Sequence, residues 1–271
     1  MRFLDFYDII VLIHTAFAEK EENMASFEMH YRSEALRMQV NLNVIIPEGV
    51  SEYKTLYLLH GLSDDCTAWP RHTSIERYAN DRKIAVVMPT VVRSWYSNTA
   101  YGARYFDFVA LELPRVCRSF FRGMSDKRED NMVAGLSMGG FGALKIALHY
   151  PESFGYCASL SGAIDLVHRG KPYDLAEWRG NFGFELEDCI ELEGKENDIF
   201  GLTRKAVEEG KQMPRLYMWC GDSDFLLDAN IRYHQLLDEL GVDHLYEQSE
   251  GDHSWRWWDL HIQSALDYLL K

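Results

Sequence analysis

Three side chains that lie far apart in the sequence, Ser137, Asp224 and His253, have the types and local settings that nucleophilic acyl transfer requires. Gly135-Leu136-Ser137-Met138-Gly139 fits the spacing Gly-x-Ser-x-Gly, in which a strand turns sharply into a helix and leaves the serine oxygen exposed on a strained backbone. The flanking glycines have a steric reason, because a Cβ at either place would crowd the approach of strand and helix, and Gly140 and Gly142 extend that tolerance. Alone, the five-residue pattern is weak. Its setting strengthens it: the apolar run Met132 to Leu136 precedes the serine and an amphipathic segment follows.

A serine hydroxyl needs a base, and the base needs a group to orient it. Both are expected downstream, the acid before the histidine. The apolar run "RLYMWCG" leads into "DSDFL", which places acids at the carboxyl end of a strand. Asp224, the fourth residue of Gly221-x-x-Asp, is the first choice for the acid, with Asp222 as the alternative. "EGDHSWRWW" puts His253 in the turn between the last strand and the last helix. The developing oxyanion needs two donors. One is the backbone N–H of Met138, directly after the nucleophile; the other is expected at Leu62, in the loop "LLHGLSDD" after an early strand. His60 in that loop reads as a residue that shapes it rather than one that carries protons.

The elements that must position these groups follow from the apolar patterning. Phe27 to Ile46 alternates, with Leu36, Met38, Val40, Leu42 and Val44 on one face, which predicts antiparallel strands covered on one side. "TLYLLHG", "IAVVMP", residues 132–136, "YCASLSG" and "RLYMWCG" are short apolar runs, as expected of parallel strands buried on both faces. A further short strand is expected near Leu245. Helical periodicity lies between these runs: around Ile75, Tyr78 and Ala79, from Phe106 to Phe120, over 139–149, from about Asn230 to Leu240, and from about Trp255 to Leu270. Pro114 is expected to kink or split the second of these helices. The alternation predicts an α/β fold with a mostly parallel, doubly wound sheet and an antiparallel hairpin at its N-terminal edge. The polar, weakly periodic stretch at about 165–212 is expected to be a small cap inserted over the carboxyl edge, where such sheets bind ligands.

Composition narrows the function. The chain has 271 residues, 47% of them hydrophobic, enough for one large domain, taken as 24–271. Its formal net charge of −14 would repel a phosphate backbone, so nucleic acid is not expected as a partner. The five cysteines, Cys66, Cys117, Cys157, Cys189 and Cys220, show neither paired spacing nor histidine neighbours, which suits a reducing, cytoplasmic compartment rather than a disulfide framework. No spacing of metal ligands is recognisable, so neither a metal nor another cofactor is expected. Residues 1–23 are apolar and include Ala16-Phe17-Ala18, which reads either as a signal peptide directing secretion or as an appended segment before Met24. That apolar segment is also a candidate for bringing copies of the chain together as a homo-oligomer.

The motifs "YLLHGLSDDCTAW", "RSWYSNTAYG", "GLSMGGFGALKIAL", "SLSG", "CGDSDFLLDAN" and "GDHSWRWWD", in this order, resemble the esterase D group of α/β-hydrolases, and within it the bacterial tributyrin esterases. The resemblance runs from Met24 to the end. It implies an α/β-hydrolase fold and a cofactor-free serine esterase, with Ser137 as nucleophile, Asp224 as acid, His253 as base and oxyanion donors at Leu62 and Met138. It also implies short acyl chains, with relatives that deacetylate or deferuloylate plant polysaccharides or hydrolyse S-formylglutathione.

The expected activity is hydrolysis of small-molecule, short-chain acyl esters. A thioesterase of the S-formylglutathione hydrolase type and an acyltransferase use the same machinery, and a non-catalytic binding module is a third reading. Trp69, Trp95, Tyr96, Trp178, Phe225 and Trp255 are expected in loops ringing the carboxyl edge, where some could stack on a sugar or phenolic acyl group and the others pack the interior.

Overall fold

The computed structural model describes residues 24–172 and 174–271. The expectations for residues 1–23, a signal peptide, an appended segment or an association surface, lie outside the described residues. Among the described residues, eight strands form one sheet: β1 (Met24–Arg32), β2 (Gln39–Pro47), β3 (Thr55–Leu59), β4 (Ala85–Pro89), β5 (Asn131–Leu136), β6 (Tyr156–Leu160), β7 (Arg215–Gly221) and β8 (His244–Ser249). Their order is β1-β2-β4-β3-β5-β6-β7-β8. The pairs β1/β2 and β2/β4 are antiparallel and every other neighbouring pair is parallel. This is the expected doubly wound sheet with an antiparallel edge hairpin.

The central strands are apolar because both of their faces are covered. Every residue of β3, β4 and β5 is buried, as a sheet sandwiched between helical layers demands. One layer carries α1 (Ala68–His72), α2 (Ile75–Arg82) and α8 (Trp255–Leu269); its core side chains include Trp69, Ile75, Tyr78, Trp258, Ile262 and Leu266. The other carries α3 (Leu113–Phe120), α4 (Met138–His149), α6 (Ile199–Glu208) and α7 (Leu227–Glu239), with Phe108, Phe141, Leu144, Ile199 and Tyr233 in its core.

Two expectations need correction. Pro114 does not split its helix. The turn Tyr105–Asp107 runs into a π-helical segment, Phe108–Glu112, and then into α3, whose first turn holds the proline. The wide π turn ahead of the proline, in which Leu113 N–H reaches back to Phe108 O, accommodates the ring and the missing N–H. The same segment aims the buried Glu112 carboxylate at the turn of the edge hairpin, where it accepts from Ser33 Oγ at 2.8 Å and from the Glu34 and Ala35 N–H groups at 2.9 Å. The stretch 165–212 is not all cap. Its last helix, α6, packs against α4 as the crossover from β6 to β7, and Thr203 on it bonds the Tyr233 hydroxyl of α7 at 2.8 Å. The part before α6 contains α5 (Leu175–Phe182), and its Trp178, Leu186, Cys189 and Leu192 join the core of the layer that holds α6.

Candidate active site

Ser137 is the hinge between β5 and α4, at φ 54° and ψ −116°. An L-residue reaches that region only when its surroundings over-determine it. They do so here through three backbone bonds: Ser137 N–H donates to Leu160 O at 2.9 Å, and Ser137 O accepts from Phe141 at 3.1 Å and Ala163 at 3.0 Å. Gly139 is required because a Cβ on it would lie 2.4 Å from Leu59 O and 2.7 Å from His60 O. These are backbone atoms at the end of β3, so the clash has no side-chain escape.

The carboxyl ends of β7 and β8 carry the other two groups. Their turns are held together main chain to main chain, with Asp222 N–H donating to Ser249 O at 2.9 Å and Ser223 N–H to Gly251 O at 2.8 Å. His253 Nε2 lies 3.0 Å from Ser137 Oγ. On the other side of the ring, Nδ1 lies 2.9 Å from Asp224 Oδ2 and 3.1 Å from Oδ1. A carboxylate accepts only, so the ring proton sits on Nδ1 and Nε2 turns its lone pair to the serine. Of the two candidate acids, Asp224 is therefore the one in contact with the histidine. Asp222 is exposed and accepts from Gln248 at 2.7 Å.

Burial alone would raise the Asp224 pKa. Hydrogen bonds from His253, from the Leu226 N–H at 2.9 Å and from the Ser161 hydroxyl outweigh it and hold the carboxyl below its usual value. Ser161 escaped the sequence reading. It is the third residue of "SLSG", just past the tip of β6, in a left-handed conformation, φ 48°, and its Oγ also accepts from Trp258 Nε1 at 3.1 Å. A second strained residue at the tip of a neighbouring strand has no signal in composition or periodicity.

The loop after β3 approaches Ser137 from the other side. A Cβ on Gly61 would stand 3.8 Å from Ser137 Cβ, so the Gly61-Leu62 backbone borders the serine. Met138 is the first residue of α4, where backbone N–H groups lack helical acceptors and the helix dipole is positive. His60 has the shaping role expected of it. Its Nε2 accepts from Val91 N–H at 3.0 Å, which leaves the proton on Nδ1 to donate to Gly61 O at 2.7 Å. Burial pushes its pKa down, in keeping with a neutral ring.

A buried lysine was also missed. Lys145 lies on α4 and is fully buried, and its ammonium donates to Tyr96 O at 3.2 Å, Ser97 Oγ at 3.1 Å and Asn197 Oδ1 at 2.6 Å. Burial pushes its pKa down to about 8. It fastens the loop in which Val92, Trp95 and Tyr96 all have positive φ. Tyr96 in turn donates its hydroxyl to His60 O at 2.8 Å, under the Gly61-Leu62 loop. The sequence signal was a lone cation inside the apolar run "FGALKIAL".

Most of the aromatic side chains expected to ring the carboxyl edge do not face solvent. Trp69, Trp95, Tyr96 and Trp178 are at most 2% exposed. Trp69 donates to Leu59 O, while Trp95 and Trp178 pack on each other and on Phe182. Trp69 and Trp178 lie on α1 and α5 rather than in loops, and all four rings fill the interior because large aromatic side chains contribute most when buried. Trp255 is half-buried between Trp69 and His72. Phe225 differs. It is 71% exposed and its ring centroid is 4.5 Å from that of His253. All five cysteines are buried and free, and among the described residues no helix is long and apolar enough to cross a membrane.

A mostly parallel sheet with a strained serine after a central strand, and a histidine and a buried acid after later ones, defines a serine hydrolase of the α/β class. The family model for the putative esterases matches residues 33–269; the chain belongs to that family and is a carboxylic ester hydrolase. It is 31% identical over 265 residues to an acetyl esterase from Caldicellulosiruptor saccharolyticus, covering 92% of this chain and 99% of that one. Among solved structures, it is similar to the substrate-bound fluorophosphonate-binding serine hydrolase F of Staphylococcus aureus, with a TM-score of 0.84, 37% identity and coverage of 92% and 99%. An S-formylglutathione hydrolase from the same organism matches with a TM-score of 0.82, 37% identity and coverage of 92% and 100%.

Proposed function

We propose that the chain hydrolyses small, short-chain acyl esters through an acyl-enzyme on Ser137. The observation that carries this reading is the unbroken contact from Ser137 Oγ to His253 Nε2 at 3.0 Å and from His253 Nδ1 to Asp224 Oδ2 at 2.9 Å. As Oγ attacks the ester carbonyl, His253 takes its proton and Asp224 stabilises the imidazolium. The carbonyl oxygen gathers negative charge against the Leu62 and Met138 N–H groups. The tetrahedral intermediate collapses, and His253 passes its proton to the departing alcohol. Water then attacks the acyl-serine by the same route, releasing the acid and restoring Ser137.

Phe225 meets the acyl or alcohol group in this reading, which its exposure beside His253 supports. The segment before α6 limits acyl length; it is tied to the rest by Arg93, which bonds Glu177 of α5 at 2.8 Å and Ser63 Oγ of the oxyanion loop at 2.6 Å. Acetyl esters are the first substrates to try, in line with the acetyl esterase relative. The S-formylglutathione hydrolase relative favours a second reading, a thioesterase using the same residues. Values of kcat/KM for p-nitrophenyl acetate, butyrate and octanoate, methyl ferulate and S-formylglutathione, measured side by side, test both. Acetate and butyrate are expected to exceed octanoate well beyond tenfold. Equal rates across chain lengths would remove the acyl-length claim, and a dominant rate on S-formylglutathione would replace the ester reading with the thioester one.

A further inference from the structure

Away from the active site, α7 and β8 bring two imidazoles and a carboxylate together. His234 and Asp238 lie one helical turn apart on α7, and His244 is the first residue of β8. His234 Nδ1 is 2.7 Å from His244 Nε2. Asp238 Oδ2 is 3.5 Å from His234 Nε2, and its Oδ1 is 3.9 Å from His244 Nε2. One ligand atom from each of the three residues lies within 4.8 Å of those of the other two.

The proton inventory makes this cluster more than a surface ion pair. His244 Nδ1 lies 2.8 Å from Val242 O, which can only accept, so that nitrogen carries the ring proton and Nε2 offers a lone pair. If His234 bridges the 2.7 Å gap with its own proton on Nδ1, its Nε2 lone pair is left facing the Asp238 carboxylate, acceptor against acceptor. A metal ion between His234 Nδ1 and His244 Nε2 removes that opposition, because it takes both lone pairs and leaves the His234 ring proton on Nε2 to face the Asp238 carboxylate. Val242 O holds His244 as the carbonyl partner of a metal-bound histidine does, fixing the ring and the tautomer, while Tyr246, two residues along β8, stacks on His234 at 4.6 Å. The His244 side chain is 5% exposed, whereas His234 at 32% and Asp238 at 63% leave an open path for an ion and for a fourth, solvent ligand.

We propose that His234, Asp238 and His244 form a three-ligand site for a borderline divalent transition-metal ion, with Zn²⁺ as its type, which ties α7 to the start of β8. Two nitrogens and one carboxylate select such an ion over Mg²⁺ or Ca²⁺, which take all-oxygen shells. Tetrahedral coordination at about 2.0–2.1 Å separates two ligand nitrogens by about 3.3 Å, so the imidazoles need to part by only about 0.6 Å. The site is structural. Its strand residue is at the amino end of β8, whereas His253 follows the carboxyl end.

The test is calorimetric titration of the full chain, freed of metal by chelator, with ZnCl₂ alone, together with a thermal melt and the visible spectrum of the Co²⁺-loaded protein. The variants are His234→Gln, Asp238→Asn and His244→Gln. His30→Gln serves as control, because His30 pairs with Glu28 on the surface at 3.2 Å and among the described residues belongs to no three-ligand group. Expected are one bound Zn²⁺ per chain, a raised Tm, intense tetrahedral Co²⁺ bands, and affinity weakened by about tenfold or more in each of the three variants but not in the control. Excess Mg²⁺ should not compete. Should His244→Gln fail to fold, the exposed Asp238→Asn still decides. Zn²⁺ binding that is absent from the wild type, or equal in the wild type and all three variants, would overturn the site and leave a hydrogen-bonded histidine pair. None of these readouts depends on esterase activity.

Discussion

Changing Asp224 to asparagine leaves the shape of the site intact and reverses its hydrogen-bond logic. The native carboxylate is 0% exposed and accepts from His253 Nδ1, which leaves the Nε2 lone pair 3.0 Å from Ser137 Oγ, where the proposed mechanism needs a base. In the amide, the oxygen nearer Leu226 keeps the N–H bond it accepts at 2.9 Å. The NH₂ then points at the imidazole, Nδ1 must accept, and the ring proton moves to Nε2, where it faces Ser137 and blocks proton abstraction. A wrong tautomer of this kind lowers kcat by about 10⁴, equivalent to about 5.5 kcal/mol of transition-state stabilisation. KM should stay within a few fold, because Asp224 lies behind the histidine and touches no substrate. The assay is kcat and KM on p-nitrophenyl acetate for Asp224→Asn and Asp222→Asn, with circular dichroism to check folding. Asp222→Asn should behave as wild type, since that side chain is exposed and engages Gln248. Should Asp224→Asn keep a rate within tenfold of wild type, or Asp222→Asn be the dead variant, the assignment of the acid is wrong.

Gly139→Ala forces a Cβ to within 2.4 Å of Leu59 O, so we expect about 3 kcal/mol or more of destabilisation and a fall in kcat as the end of β3 is displaced. Gly180→Ala, whose Cβ would meet only the Tyr101 ring at 3.8 Å, should lie within about 1 kcal/mol of wild type in the same urea titration; equal losses in the two variants would refute the close approach. Lys145, with its pKa pushed down to about 8 by burial, gives a signed pH effect. Above pH 8 the folded amine has lost a proton that the unfolded chain keeps to its ordinary 10.5, so the stability of wild type relative to Lys145→Met should rise between pH 8 and 10. Urea midpoints at pH 7, 8.5 and 10 measure it, and a pH-independent difference would contradict it. Phe225→Ala should leave kcat on acetate near wild type and raise KM for an aromatic acyl ester such as methyl ferulate by about 5–10-fold. An unchanged KM would remove Phe225 from the substrate path.

What the sequence made legible is what local chemistry compels. Gly135 and Gly139 are dictated by backbone contact, and the fully apolar β3, β4 and β5 by coverage on both faces, so the elbow and the parallel core could be read before any coordinates. The alternation from Phe27 to Ile46 likewise announced a one-sided hairpin. What stayed hidden depends on how distant segments meet. The segments that bury Trp69, Trp95, Tyr96 and Trp178 contain the same residue types as segments that display them, and what separates the two is contact between distant parts of the chain, Trp255 on Trp69 and Trp178 of α5 on Trp95. The crossover helix α6 escaped because a short amphipathic segment with Arg204, Lys205 and Glu208 on its outer side resembles the polar cap before it. Ser161 and Lys145 act through partners more than forty residues away, a distance across which spacing carries no signal. Pro114 misled because the π turn ahead of it exists only in three dimensions.

The central claim is that Ser137 forms the acyl-enzyme, and the most direct measurement compares the wild type with Ser137→Ala on p-nitrophenyl acetate, with intact-mass spectrometry of the quenched reaction. We expect turnover and a transient acetyl adduct in the wild type, and in the variant no adduct and a rate lower by about 10⁴-fold or more. A variant that hydrolyses the ester within tenfold of the wild-type rate, or a wild-type adduct carried by another residue, would contradict the account.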